Sequence, residues 1–395
     1  MSHAYSFGIE EEFFVVDGVT RDARRAVPST FLEAARAELP GRVAAEMLQS
    51  QVELATQPCR DMAEAEARLS EQRAALAAVA ADHRLGLVAA GTHPMTAWTR
   101  QRSTDAPRYD RVMRDLQMLG HRNMLCGLHV HVELADPGRR IDVMTRSIPF
   151  LPLLLALSTS SPFWRSRRTG LMAYRLSAYQ ELPRTGLPDL FETEAEFDAY
   201  VSALVQAGAI RDASYLWWAI RPSLKHPTLE LRVADSCTRV EDALAIAALY
   251  RALVRRLERD PKLNAGMSAV DRAVAQENLW RAQRYGIHGS LIDIKRGALT
   301  VPEALEALID LVGEDARALN CEAEVEDCRG ILADGTSADV QIAVYTEALG
   351  RGLGRDEALS AVVDWLMRAT LGEAGGEPAV TFDEAAADED VERAE

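Results

Sequence analysis

Cysteine is scarce and unpatterned in this chain of 395 residues. Cys59, Cys126, Cys237, Cys321 and Cys328 form an odd set without a C-x-x-C, and the closest two have six residues between them. That spacing fits no disulfide framework, structural zinc site or thioredoxin-like centre, and it predicts reduced thiols in a cytoplasmic protein. Long apolar runs are also missing. The most apolar stretch, Ile148 to Leu157, is too short to span a bilayer and contains Pro149 and Pro152. The start, Met1-Ser2-His3-Ala4-Tyr5, lacks a basic residue followed by an apolar run, so no signal peptide is expected. No Gly-rich loop of the P-loop or dinucleotide type is present, which disfavours those nucleotide folds. Nor is there a basic excess: 44 Lys+Arg stand against 60 Asp+Glu, a net charge of −16. A counterion-release grip on nucleic acid is therefore not expected.

The remaining composition, 48% hydrophobic and 26% charged with 24 Gly and 16 Pro, is that of an ordinary globular chain able to bury a core without staples. Half of the net charge, −8, falls in residues 373–395, with nine acids and one Arg. This segment reads as a disordered acidic tail, and length leaves residues 1–372 as two or three domains or one large α+β unit.

Helical signals dominate. Asp61 to His83 carries Ala, Glu, Arg and Leu at helical spacing behind a capping Asp61. Thr193 to Gln206, Val240 to Arg259 (ending before Pro261), Val301 to Val312 (with Pro302 in the first turn), Ala338 to Leu349 and Asp356 to Thr370 also read as helices.

Four segments instead alternate with period two: Ser6–Val16, Leu48–Ala55, Met124–Leu134 and Thr228–Asp235. Strand side chains point alternately to opposite faces. Each segment thus offers one apolar face and one polar face. A merely solvated face is usually filled with Thr, Lys, Ser and Gln. Here the polar positions are Glu10 and Glu12, Glu53, His129 with His131 and Glu133, and Glu230 with Arg232. Carboxylates gathered without cations repel one another unless a metal is bound. The set suits a hard, oxygen-preferring ion such as Mg²⁺ or Mn²⁺. Arg232, two residues from Glu230 on the same strand face, suits an anionic oxygen that the metal also touches. Carboxylates, divalent metal and Arg are the parts of phosphoryl transfer from a nucleotide.

Several motifs appear in order: Phe7-Gly-Ile-Glu-Glu-Glu-Phe13, Leu48-Gln-Ser-Gln-Val-Glu-Leu54, Ala90-Gly-Thr-His-Pro94, Cys126-Gly-Leu-His-Val-His-Val132, Ser161-Pro-Phe-Trp164, Leu182-Pro-Arg-Thr-Gly-Leu-Pro188, Ile220-Arg-Pro-Ser223 and Leu229-Glu-Leu-Arg-Val-Ala-Asp235. On these, from about Tyr5 to about Leu371, the chain resembles the YbdK-type carboxylate–amine ligases of the glutamate–cysteine ligase and glutamine synthetase superfamily. The resemblance implies one catalytic domain over residues 1–372, with an α+β fold in which a curved antiparallel sheet presents a concave active-site face and is flanked by helices. It implies ATP-dependent amide formation with Mg²⁺ or Mn²⁺, through an acyl phosphate of glutamate that an amine such as cysteine attacks. Small-molecule acid and amine substrates and a homo-oligomer are implied as well, with no nucleic acid or membrane partner.

Carried across by motif, Glu12, Glu46 and Glu53 look like ligands of one metal ion, and Glu10, His129 and Glu230 like ligands of the ion nearer the nucleotide. Arg232 looks like the cation that steadies the transferring phosphate, and with Glu53 it makes up the catalytic pair. Glu46 has the opposite parity to Glu53, so a bulge or loop must aim it. Glu11 has the wrong parity for the site and belongs on the other face. His131 divides between a role beside the ligands, at the substrate, and a packed imidazole. His93 leans toward satisfying loop carbonyls. Arg184 is a candidate for a substrate α-carboxylate, with a surface ion pair as the alternative. Lys225 is a candidate for nucleotide phosphates. For Lys225 and for Arg221, which flanks Pro222, a plain loop charge is the simpler reading. Val340 stands where many relatives carry a basic residue, which bears on substrate if that position touches ligand. Two other readings of the same residues stay open: a metal-dependent amide hydrolase, and a non-catalytic nucleotide-binding homologue.

Overall fold

The computed structural model describes residues 5–373 and residue 380. The expected disordered tail, 373–395, therefore lies outside the described residues except at its first position and Val380. Seven strands form one open, wholly antiparallel sheet. They are β1 (Phe7–Asp17), β2 (Val43–Ala45), β3 (Gln51–Ala55), β4 (Leu85–Val88), β5 (Leu128–Glu133), β6 (Ile220–Pro222) and β7 (Thr228–Leu231). Their spatial order is β6-β7-β5-β1-β3-β2, with β4 also paired to β1. The long strand β1 organises the rest. One edge holds β5 along Phe7–Glu11 and β4 along Phe14–Asp17, while the other holds β3 along Glu10–Phe14. The fold is the expected α+β arrangement of an antiparallel sheet with flanking helices.

Two expected strands are shorter than their alternation suggests, for local reasons. Leu48 to Ser50 form a turn, closed by the Gln51 N–H donating to the Leu48 carbonyl at 3.1 Å, so the strand begins only at Gln51. The chain leaves the sheet after Leu231, and Asp235 returns to face Gly127 in an isolated bridge.

One face of the sheet is apolar and fully covered. Phe7, Ile9, Phe13 and Val15 of β1, Leu128, Val130 and Val132 of β5, and Leu229 and Leu231 of β7 are all buried. Helix α1 (Met62–Asp82) begins where the Asp61 side chain accepts the Glu64 N–H at 2.9 Å, an N-cap that satisfies one free donor of the first turn. Helix α2 (Val240–Arg259) buries most of its length and donates from Tyr250 Oη to the Leu229 carbonyl. Helix α3 (Arg355–Thr370) closes over β4. The apolar run expected to be too short for a membrane forms a wholly buried helix over Leu151–Leu157, and no described helix is long and apolar enough to cross a bilayer. All five cysteines are free and buried.

Glu11 is a carboxylate set among the apolar side chains of this face, and it is 1% exposed. Arg73 of α1 meets it with a two-pronged bond, Nε to Oε2 at 3.0 Å and Nη2 to Oε1 at 2.6 Å. The remaining Arg73 donors go to the carbonyls of Cys237, Thr238 and Thr370, so every N–H of the guanidinium is used. Removing one member of such a pair strands a buried charge, at a cost of about 3–5 kcal/mol. Glu11→Ala should therefore lower the urea unfolding free energy by about that amount, while Glu11→Met combined with Arg73→Met should lose much less. A loss below about 1 kcal/mol for Glu11→Ala, the range of exposed pairs, would show that the pair does not hold the sheet.

Candidate active site

The polar face is assembled by register. Glu12 of β1 lies opposite Glu53 of β3, and Glu10 opposite His129 of β5. His131 lies opposite Glu230 of β7, and Arg221 of β6 lies opposite Glu230 on its other side. Directly opposed residues project to the same face, so a row of ionisable groups crosses the sheet. This row floors a cavity of about 420 Å³.

Glu46 joins the floor by a route that counting along one strand does not show. It follows β2, and Ala44 of β2 lies opposite Glu53. Two residues on, Glu46 returns to the same face, and its carboxylate lies against that of Glu53. The turn after β2 is the loop that aims it. Ligand atoms of Glu10, His129 and Glu230 fall within 4.8 Å of one another, and so do those of Glu12, Glu53 and His129. The structure thus brings together the expected Glu10–His129–Glu230 group. Beside Glu12 and Glu53 it puts His129 as the third member within that span, with Glu46 adjoining.

Charge is segregated along the cavity. At one end Glu12, Glu46 and Glu53 are desolvated and crowd one another. Burial first, then the neighbouring Glu46, pushes the Glu12 carboxyl up to about 8. Burial and the carboxylates of Glu46, Glu10 and Glu12 push Glu53 well above its usual range. At the other end sits Glu230. Burial would raise its carboxyl, but Arg232 and Arg221 outweigh this and hold it well below the usual value. Arg221 binds it through Nε to Oε2 at 2.8 Å and Nη2 to Oε1 at 3.2 Å, and Arg232 donates to the same Oε1. Arg221 is therefore a strand residue paired across the sheet, not the loop charge expected for it. Between the two ends, Glu10 is drawn below its usual value by the imidazoles of His129 and His131 despite burial. Burial, then the nearby Arg232, brings His129 down to about 4, so its ring is neutral at pH 7.

The residues fit a divalent cation. His129 Nε2 is buried and has no hydrogen-bond partner among the described residues, an uncommon state for a polar atom, and His131 Nε2 is buried 3.4 Å from Glu10. Three adjoining buried carboxylates ionise together only when a cation compensates them.

Of the other expected residues, Lys225 is exposed on the cavity wall. His131 bonds Thr228 Oγ1 through Nδ1 at 2.9 Å and lies 3.4 Å from Glu10 through Nε2. His93 is a loop anchor, facing the Arg21 carbonyl and accepting the Thr96 N–H. Arg184 is not on the wall. It has a positive φ of 59°, its guanidinium stacks over Trp217 and its Nε donates to the Tyr215 carbonyl. Val340 is also off the cavity, fully buried in the apolar cluster under the C-terminal helices.

The strand pattern missed Arg175, which lines the cavity although it is only 3% exposed. It donates to the Ala234 carbonyl at 3.0 Å and lies 4.0 Å from the buried Asp235. The signal for it was Gly127. A Cβ there would stand 2.1 Å from Arg175 Nη2 and 3.2 Å from His129 Nε2, so the bare backbone is the space the guanidinium occupies.

The model of glutamate–cysteine ligase family 2 matches residues 6–364. The chain belongs to that family. A Bradyrhizobium diazoefficiens relative named "Putative glutamate–cysteine ligase 2" is 49% identical over 367 residues, 93% of this chain and 84% of its own length. A relative of the same name from Rhodospirillum rubrum is 44% identical over 95% of this chain and 97% of its own length. Among solved structures, a glutamate–cysteine ligase from Francisella tularensis in complex with AMP shares the fold, with TM-score 0.66 and 15% identity over 93% of this chain and 89% of that one.

For this member of glutamate–cysteine ligase family 2, the raised carboxyls fix the sign of a pH effect. The ordinary Glu12 value is 4.5 and the folded value about 8. The folded state therefore binds a proton that the unfolded chain has released, and the stabilisation is complete below about 4.5 and is lost as pH rises toward about 8. In chelator, the urea midpoint should fall between pH 5 and pH 8, and Glu12→Gln should flatten that fall. An equal slope in both proteins would overturn the assignment. Gly127→Ala should displace Arg175 and cut turnover by at least tenfold with little change in melting temperature. Unchanged turnover would show that the close approach is dispensable.

Proposed function

We propose that the protein is an ATP- and divalent-metal-dependent carboxylate–amine ligase, joining glutamate to an amine such as cysteine. The observation that carries this reading is the charge segregation: a carboxylate pocket suited to a cation and an arginine end suited to a phosphate share one cavity. The relatives' names and the AMP in the Francisella enzyme support it.

In the proposed reaction an oxygen of the glutamate side-chain carboxylate attacks the γ-phosphorus of ATP, and the bond to ADP breaks. The amine nitrogen then attacks the carbonyl carbon, the C–O bond to phosphate breaks, and the amine loses a proton. Arg232, held by Glu230, faces the transferring phosphoryl group and offsets its charge. Lys225, on the exposed wall, meets the outer phosphates. Glu12, Glu46 and Glu53 hold one cation, and Glu10, His129 and Glu230 a second. Mg²⁺ or Mn²⁺, when bound, supplies the positive charge that lets these carboxylates ionise together and screens the phosphate oxygens. His131 lies beside Glu10 and orients the acid substrate. Arg184, stacked on Trp217 off the wall, is not assigned to it. We place the protein in the cytoplasm, where ATP and amino acids are supplied, as a homo-oligomer.

The test is ADP and phosphate release with ATP and Mg²⁺, in the presence of glutamate and pooled amines. Release should require both acid and amine, and Glu53→Ala and Glu230→Ala should each reduce it by at least a hundredfold. The metal-free melting temperature of Glu53→Ala should not fall, whereas Glu230→Ala, which leaves Arg221 and Arg232 without their carboxylate, should lower its own. Amide hydrolysis without ATP would instead favour the metallohydrolase, and a large loss of metal-free stability in Glu53→Ala would make that carboxylate structural.

A further inference from the structure

A second cleft, of about 800 Å³, lies between the segment after β1 and residues 96–102. It is cationic on a chain whose net charge is −16. Four arginines line it, Arg24, Arg25, Arg100 and Arg102, against two acids, Asp17 and Asp22. The acids are already engaged. Asp17 takes Arg24 at 2.7 Å and the N–H groups of Val19 and Thr20, and Asp22 accepts from Thr96 Oγ1 at 3.1 Å. The guanidinium groups of Arg25, Arg100 and Arg102 have no acceptor among the described residues. Beside them Gln101 is only 7% exposed, and its Oε1 is buried without a hydrogen-bond partner. An unsatisfied buried carbonyl costs stability unless something donates to it.

Both walls of the cleft hold the same residue of the turn behind β2. The Val27 N–H donates to the Gln49 carbonyl at 3.0 Å, and the Gln49 N–H donates to the Arg102 carbonyl at 2.8 Å. The next residues continue the clamp, with the Thr104 N–H donating to the Met47 carbonyl and Thr104 Oγ1 to the Glu46 carbonyl. We propose that this cleft binds a small polyanion, and that its occupation braces the turn that aims Glu46. The ligand class is a compound with two or more phosphate or carboxylate groups. The guanidinium forks match such oxygens. The brace rests on the assignment of Glu46 to the carboxylate pocket, whereas the binding does not.

Inorganic pyrophosphate is the probe, titrated by calorimetry into the metal-free full chain. The triple variant Arg25→Ser/Arg100→Ser/Arg102→Ser should bind at least tenfold more weakly than the native chain, as should the single charge reversal Arg100→Glu. Lys225→Ser, at the other cavity, should leave the pyrophosphate bound in this cleft and weaken only binding at its own cavity. No binding by the native chain, native-like binding by both arginine variants, or loss confined to Lys225→Ser would overturn the site. Hydrogen exchange reads the brace: the amides of Met47 to Gln51 should gain protection on pyrophosphate addition in the native chain but not in the triple variant. Binding without that protection would overturn the brace and leave the site. Because neither readout uses turnover, failure here is distinct from failure of the ligase reading.

Discussion

A buried guanidinium with all its donors in use sets the register of the central strand. Arg73 joins Glu11 of β1 to the carbonyls of Cys237, Thr238 and Thr370, and so ties the sheet, the segment after β7 and the end of the last helix to one side chain. Side chains alternate along a strand, so a slip of one residue would send Glu10 and Glu12 into the apolar layer and turn Ile9 and Phe13 to the cavity. Glu11 is accommodated among apolar groups because Arg73 bonds both of its oxygens. That pairing makes the native alternation the one that leaves no charge stranded. The geometry of the polar face is thus fixed from the opposite side of the sheet.

On the polar face the opposite logic holds. Three carboxylates converge at one end with Arg175 as the cation that acts most strongly on Glu12, a placement that rigid packing of the apolar face imposes against their repulsion. The other cations are kept apart from them, spent on Glu230 at the far end by Arg221 and Arg232. An even mixture of the two signs would neutralise itself and leave little for a ligand. Separation preserves an acidic region and a basic one a few ångströms apart, which is what holding a cation and a phosphate side by side requires.

Much of this was readable in the chain. Period-two alternation gave the polar and apolar faces of β1, β5 and β7 and assigned Glu11 to the far side, while the family resemblance, not the alternation, grouped Glu10 with His129 and Glu230. Helix boundaries followed Asp61, Pro261 and Pro302. What escaped the reading was relational. The aim of Glu46 depends on the β2–β3 pairing, which places Ala44 opposite Glu53 across a turn, so parity counted along a single strand stops at Ser50. Arg175 and Arg221 reach the cavity from elements with no polar alternation of their own. The argument that the polar face lacked cations therefore fails: Arg232 already stood on a segment that was read, and Arg175 and Arg221 join it in the cavity. Arg184 was a candidate because its guanidinium fork suits a carboxylate, but the Trp217 ring that takes it up comes from a distant segment. Val340 invited comparison by position, but its surroundings are apolar and a charge there would be stranded.

The cysteines bear on the company this protein would keep. All five are buried and unpaired, and burial raises each thiol above its ordinary value, Cys321 to about 11. Thiolate, not thiol, carries out exchange with disulfides. A catalyst that handles a thiol-bearing amine meets that thiol and its oxidised dimer continually. With no accessible thiolate of its own, this chain offers them nothing to exchange with, and the oxidised dimer would not inactivate it through mixed disulfides.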